Sequence, residues 1–183
     1  MAQVGVLKRL QYQTGAGMME VLIALVISAF ALLGLAGLQV SSLRYQKGAN
    51  FRALATQYSA EMADRIRANL TGARGLGATS DYNFAPESYS NAAPTAPTTN
   101  PCNGSNAAAC TSTILAARDL YNWRVSLSQG LAGGWGEVSG DVVNGFVIRV
   151  YYFEPNKTVD DPNCRNGSGA GVEVRCFVTV FYP

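Results

Sequence analysis

Three features set the chemistry open to this chain: one carboxylate beside a long apolar run, four cysteines, and no histidine at all. Glu20 is followed by residues 21–43, VLIALVISAFALLGLAGLQVSSL, which carry no charge. An ionised side chain at the centre of a membrane helix costs roughly 2.5–3.5 kcal/mol on insertion scales. Glu20 therefore needs a partner, and the nature of that partner bears on function. The lack of histidine removes the commonest general base, the Ser-His and Cys-His pairs and imidazole metal sites. Cys102, Cys110, Cys164 and Cys176 all follow the apolar run. An even count beyond a membrane segment points to an oxidising compartment and two disulfides. The absence of a C-x-x-C pair argues against zinc. The short interval between Cys102 and Cys110 suits a local bridge, and a Cys164–Cys176 bond would staple a loop to the last strand; the other two connectivities stay open. The stretch Asn156–Asn163 clusters oxygens as a calcium site would, but its spacing fits no defined calcium loop, so a plain turn is expected. Asn103-Gly-Ser105 and Asn166-Gly-Ser168 match glycosylation sequons. No catalytic, cofactor-binding or metal-binding residue stands out, and no small-molecule substrate is expected.

The elements that must position these groups begin with a membrane-length segment. About 20 apolar residues span the ~30 Å hydrocarbon core, and this run is too long for the apolar part of an ordinary cleaved secretory signal. Lys8 and Arg9 stand before it, and Arg44, Lys47 and Arg52 after it, so basic residues do not settle its orientation. The formal charge of +2 comes from Lys8 and Arg9 alone. A neutral remainder with no basic stripe makes a poor nucleic-acid binder, and no nucleic-acid partner is expected. From Phe51 the apolar residues Phe51, Leu54, Ala55, Tyr58, Met62, Ile66 and Leu70 recur in steps of three and four, the mark of an amphipathic helix. Glu61 precedes Arg65 by four residues, the favourable order for an ion pair. Asn69 and Gly72 supply an end. A continuous helix from Ala16 to Leu70 would run about 80 Å at about 1.5 Å per residue, with Gly34, Gly37 and Gly48 as soft points or, for Gly34 and Gly37, as sites of close packing in the membrane.

The run Thr14-Gly15-Ala16-Gly17-Met18-Met19-Glu20 resembles the class III signal of prepilins. In that family a basic leader ends in Gly, a prepilin peptidase cuts after it, a Glu stands fifth in the mature chain, and the apolar segment is retained. The resemblance implies a removed leader 1–15, cleavage between Gly15 and Ala16, and N-methylation of Ala16. It also gives Glu20 a partner, the N-terminal amine of a neighbouring subunit. The stretch from Ala60 to Asn69, AEMADRIRAN, together with EVLIALV and LLGLAGLQ, is similar to the minor pilin family called type IV pilus modification protein, PilV. That family implies a minor pilin that primes or supports pilus assembly, and hence adhesion and twitching motility. The partners it implies are prepilin peptidase, other minor pilins, the major pilin, a tip adhesin and inner-membrane lipid. Its location would be the bacterial inner membrane with the head in the periplasm, and the pilus near its tip.

The expected organisation is leader 1–15, membrane and pilus-core half of the long helix 16–43, amphipathic half 44–70, and a periplasmic head 71–183. The fold class expected is α+β and pilin-like, a long N-terminal helix packed on a small antiparallel sheet. Residues 71–110 read as loop, poor in large apolar side chains. Ala116, Leu120, Trp123, Leu127 and Leu131 fall at helical spacing after a Thr111-Ser112-Thr113 cap, ending at Gly130 or Gly133. Phe146, Ile148, Val150 and Tyr152 alternate along one strand. Val172, Val174, Cys176, Val178, Val180 and Tyr182 do so along another. A short strand over 137–143 closes with Asn144-Gly145, a hairpin-turn signal. Asp64, Arg65 and Arg67 suit either a solvated helix face or a contact with another subunit. A minor pseudopilin of a type II secretion system would carry the same leader, although the DRIRAN run and two-disulfide head favour the pilus. A signal-anchored periplasmic enzyme is the remote alternative, lacking a nucleophile elbow or metal motif.

Overall fold

A computed structural model describes residues 17–75, 79–83, 88–90, 92–97, 102 and 110–183. The leader and the Gly15–Ala16 cleavage position lie outside them. The elements, in order, are α1 (Met18–Ala68), α2 (Leu70–Arg74), α3 (Ser112–Gly130), β1 (Trp135–Asp141), β2 (Gly145–Phe153) and β3 (Val174–Phe181). The chain divides into two units, up to Tyr45 and from Gln46.

In the first unit α1 is apolar all round and exposed all round. It is long and apolar enough to cross a membrane, and none of its most apolar window is buried by the protein. Its polar interruption at Ser28 is satisfied internally, the hydroxyl donating to the Ala24 carbonyl one turn back at 2.7 Å.

The second unit is α+β. Here α1 buries Ala55, Ser59, Met62, Ala63 and Ile66, and Phe51, Leu54 and Tyr58 pack at the margin. Leu70, expected on that stripe, is 44% exposed, because α1 ends at Ala68 and the next turn is α2. The break belongs to Asn69, whose side chain accepts from the Gly72 amide and so caps α2. Helix α3 starts at Thr111, whose hydroxyl accepts from the Ile114 amide at 3.3 Å, and all five residues of its periodic set are buried. The Trp123 indole donates to the Tyr58 carbonyl of α1 at 2.8 Å. The largest core side chain thereby avoids a buried unpaired N–H.

The sheet is an antiparallel meander in the order β1-β2-β3. Phe146, Ile148, Val150 and Tyr152 of β2 join Val138 and Phe181 against the helices. Strand β1 ends at Asp141, two residues before the expected 143. Asp141 pairs with Gly145, leaving Val142, Val143 and Asn144 in the loop. The reason is Asp141 itself, whose carboxylate accepts from the Val143 and Asn144 amides at 2.8 and 2.7 Å. These bonds, that of Asn144 first, hold its pKa below the ordinary value. Gly145 takes φ +86° in the strand, with the Tyr182 ring against it.

The apolar face of β3 divides differently from its valine alternation. Register puts Phe181 opposite Phe146 and Phe177 opposite Val150, so the phenylalanines face the helices. Val174 and Cys176 lie on the other face, in a second small cluster with Trp135 and Tyr151 bordered by Tyr89, Cys164 and Ala170. The residues described within 71–110 are not inert loop either. Tyr82 is fully buried in the main core, and Tyr89 packs its ring on Trp135 and Tyr151.

Candidate functional site

Glu20 lies in the first turn of α1. Its amide and that of Val21 donate to the Gly17 carbonyl at 2.9 and 3.4 Å. Its carboxylate is exposed and has no ion-pair partner among the described residues. A negative charge in a helix's first turn meets the positive end of the helix dipole, worth about 0.3–1 kcal/mol. That is well short of what taking a carboxylate into hydrocarbon costs. The first unit thus presents one uncompensated acid at the head of an apolar helix. Gly34 and Gly37 have open space where a side chain would stand, so another helix could approach the backbone closely there.

The four cysteines pair as Cys102–Cys110 and Cys164–Cys176, with Cα–Cα distances of 4.9 and 5.1 Å, and none is free. The second bond ties the 154–173 connection to β3. Asp161 finishes the same job: one carboxylate oxygen accepts from the Cys176 amide and the other from Asn163, all at 3.0 Å. Both oxygens are thus engaged by N–H donors, which explains why this oxygen-rich loop is a turn. No group of three or more potential metal ligands occurs among the described residues. A cavity of about 130 Å³ is lined by Asp160, Asp161, Arg165, Ser168 and neighbouring glycines. Within the second sequon Asn166 is exposed and Ser168 buried; the first sequon falls largely outside the described residues.

Two charged clusters escaped sequence reasoning. In the first, Arg65 bonds Glu61 at 2.6 Å and Asp119 of α3 at 3.2 Å. The Tyr82 hydroxyl donates to Asp119 at 2.7 Å, and Asn69 Nδ2 donates to the Tyr82 oxygen and the Ser112 carbonyl. Burial, reinforced by the Asp119 bond, pushes the Tyr82 pKa well above its ordinary value. Arg65 and Asn69 are therefore internal clamps between α1, α3 and the 79–83 segment, not a solvated face. Asp64 and Arg67 make an exposed pair at 2.9 Å, and the Arg67 guanidinium also lies over Phe181. The i, i+4 spacing of Glu61 and Arg65 signalled one bond of this network; its long-range partners left no trace in local sequence.

The second cluster centres on Glu137 of β1, 3% exposed. Arg149 donates to it at 3.2 Å, Arg165 at 3.0 Å and the Tyr151 hydroxyl at 3.0 Å. Burial, with Glu137 beside it, pushes the Tyr151 hydroxyl up to about 12. The Arg165 bond fixes the disulfide-bearing loop to the sheet. Each cluster ties separate elements of the head to one another.

Fold and site together define an α+β head with two disulfides, joined to one helix long enough to span a membrane and bearing an uncompensated acid in its first turn. Comparison with protein-family models, with curated proteins and with solved structures finds no match.

Proposed function

We propose that the chain is a non-catalytic minor pilin, made as a prepilin and working with other minor pilins to prime or support a type IV pilus. The observation that carries this reading is Glu20: an unpaired carboxylate in the first turn of a helix followed by 23 uncharged, exposed residues. Cleavage after Gly15 creates a cationic amine on Ala16, four positions before Glu20. An amine of this kind on a neighbouring subunit can neutralise Glu20, and pairing of two desolvated charges is favourable only when the geometry is held. Assembly in register holds it. The leader keeps the precursor in the inner membrane, the apolar half of α1 holds the mature chain among lipids and other pilins, and the head stays in the periplasm. Major pilin, other minor pilins and a tip adhesin are the partners of this reading.

Intact-mass and N-terminal analysis of the membrane-extracted protein tests it. A chain starting at methylated Ala16 is expected. An uncut Met1 start, or a cut within the apolar run, would sink the prepilin reading. Glu20→Ala should insert in the membrane normally and enter pili poorly; full incorporation would show that amine pairing is dispensable.

A further inference from the structure

The outer edge of β3 is half closed. The Cys176 amide points away from β2, since it donates to Asp161. By the two-residue repeat of a strand, the N–H and C=O of Val178 and Val180 point the same way. The loop that ends at Cys164 guards the upper edge: Asp161 caps Cys176, Arg175 reaches the Val159 carbonyl at 3.0 Å, and Val174 donates to Gly171. Below Cys176 no described residue takes up the edge groups of Val178 and Val180. Val180 is 58% and Tyr182 66% exposed. Residues 176–182, CFVTVFY, hold no charge, proline or glycine, the devices by which proteins blunt an open edge.

We infer that this half-edge pairs antiparallel with the same segment of a second copy, about a two-fold axis through Val180. In that register Val180 exchanges both backbone bonds with its counterpart, and Val178 does so with Tyr182 of the other copy. Apolar side chains then meet on the outer face. The paired strand stops short of Asp161, so the capped upper half selects the register. The segment is uncharged, so self-pairing brings no like charges together. A five-residue pairing is far smaller than a standard interface of about 800 Å² per partner. It therefore forms where copies are concentrated, as they are when the apolar helix confines them to a membrane. The inference stands without the pilus reading, since it uses only the head and confinement.

The test uses the full chain in phosphatidylcholine vesicles and a short bis-maleimide. Every cysteine among the described residues is in a disulfide, so an introduced thiol reports alone. Val180→Cys should cross-link to a dimer, and adding Val178→Pro should abolish the product. That proline removes an outward N–H while the β2-facing bonds of Phe177 and Thr179 survive; near-UV circular dichroism checks that the head stays folded. Val180→Lys in a chain carrying Thr179→Cys should also lose the dimer. Val143→Cys, on a hairpin tip that is 81% exposed, gives the collision background. Cross-linking of Val180→Cys at that background, or survival of the dimer with Val178→Pro, overturns the inference. So does dimer formation only when a different protein is added.

Discussion

Replacing Glu137 by Gln removes one charge and little volume from the outer face of the sheet. The carboxylate receives Arg149, Arg165 and the Tyr151 hydroxyl. A hydrogen bond to a charged group contributes about 1.5–3 kcal/mol, and breaking a fully buried pair costs about 3–5 kcal/mol. The Arg149 and Arg165 side chains keep 23% and 26% of their surface, so water recovers part of their solvation when the acid is lost. Gln also aims an N–H₂ at a guanidinium where an oxygen stood. The net loss should be about 2–3 kcal/mol. At about 3–5 °C per kcal/mol for a domain of this size, the melting temperature should fall by roughly 6–15 °C. Trp135, Tyr151 and Tyr89 pack edge-on and tilted against one another beside the cluster, so near-UV circular dichroism of the full chain in detergent reads it directly. The loss with Arg165→Met added should be less than the sum of the two single losses, because the partners share one interaction. A melting temperature within about 2 °C of the parent, or additive losses, would refute the claim that Glu137 ties the 163–168 loop to the sheet.

Tyr82→Phe removes the hydroxyl that links Asp119 to Asn69. It should cost about 1–2 kcal/mol in denaturant titration and leave α1 helicity unchanged in far-UV spectra. Gly136→Ala would drive a methyl into the Trp123 ring and the Leu127 side chain, so a loss of about 1–3 kcal/mol from overpacking is expected; Ala tolerated without change would mean the α3–sheet spacing is looser than described. Tyr151 and Tyr82 titrate above the ordinary tyrosine value in the folded head, so the unfolded chain loses these protons first. Their contribution is whole below about pH 10 and is lost as pH rises toward 12 and beyond. Alkaline melts should show a falling melting temperature over that window, and Tyr151→Phe should flatten it.

Local sequence patterns match the fold best where one element alone decides burial. All five periodic residues of α3 are buried, and the Phe146–Tyr152 alternation faces the helices, because helix and strand periods are set by backbone geometry. The β3 alternation misled because both its faces are apolar. Pairing with β2, which puts Phe181 opposite Phe146, chose the face. The Asn144-Gly145 signal gave a hairpin but not its register, since the Asp141 carboxylate outbid the dipeptide for the turn amides. The position of Asn69 before Gly72 marks a helix end, while its second role against Tyr82 and Ser112 depends on residues 13 and 43 positions away.

By itself the sequence determined the apolar span, the lone acid at its head, the even cysteine count and the α+β class. These rest on composition and on short-range periodicity. Tertiary structure alone decided the disulfide pairing, the use of Arg65 as a clamp, the burial of Glu137 between arginines 12 and 28 positions away, and the half-open edge of β3. The physical reason is common to all four: a charge, a thiol or an edge amide is satisfied by whichever group the fold brings within about 3 Å, and sequence separation carries no record of that distance.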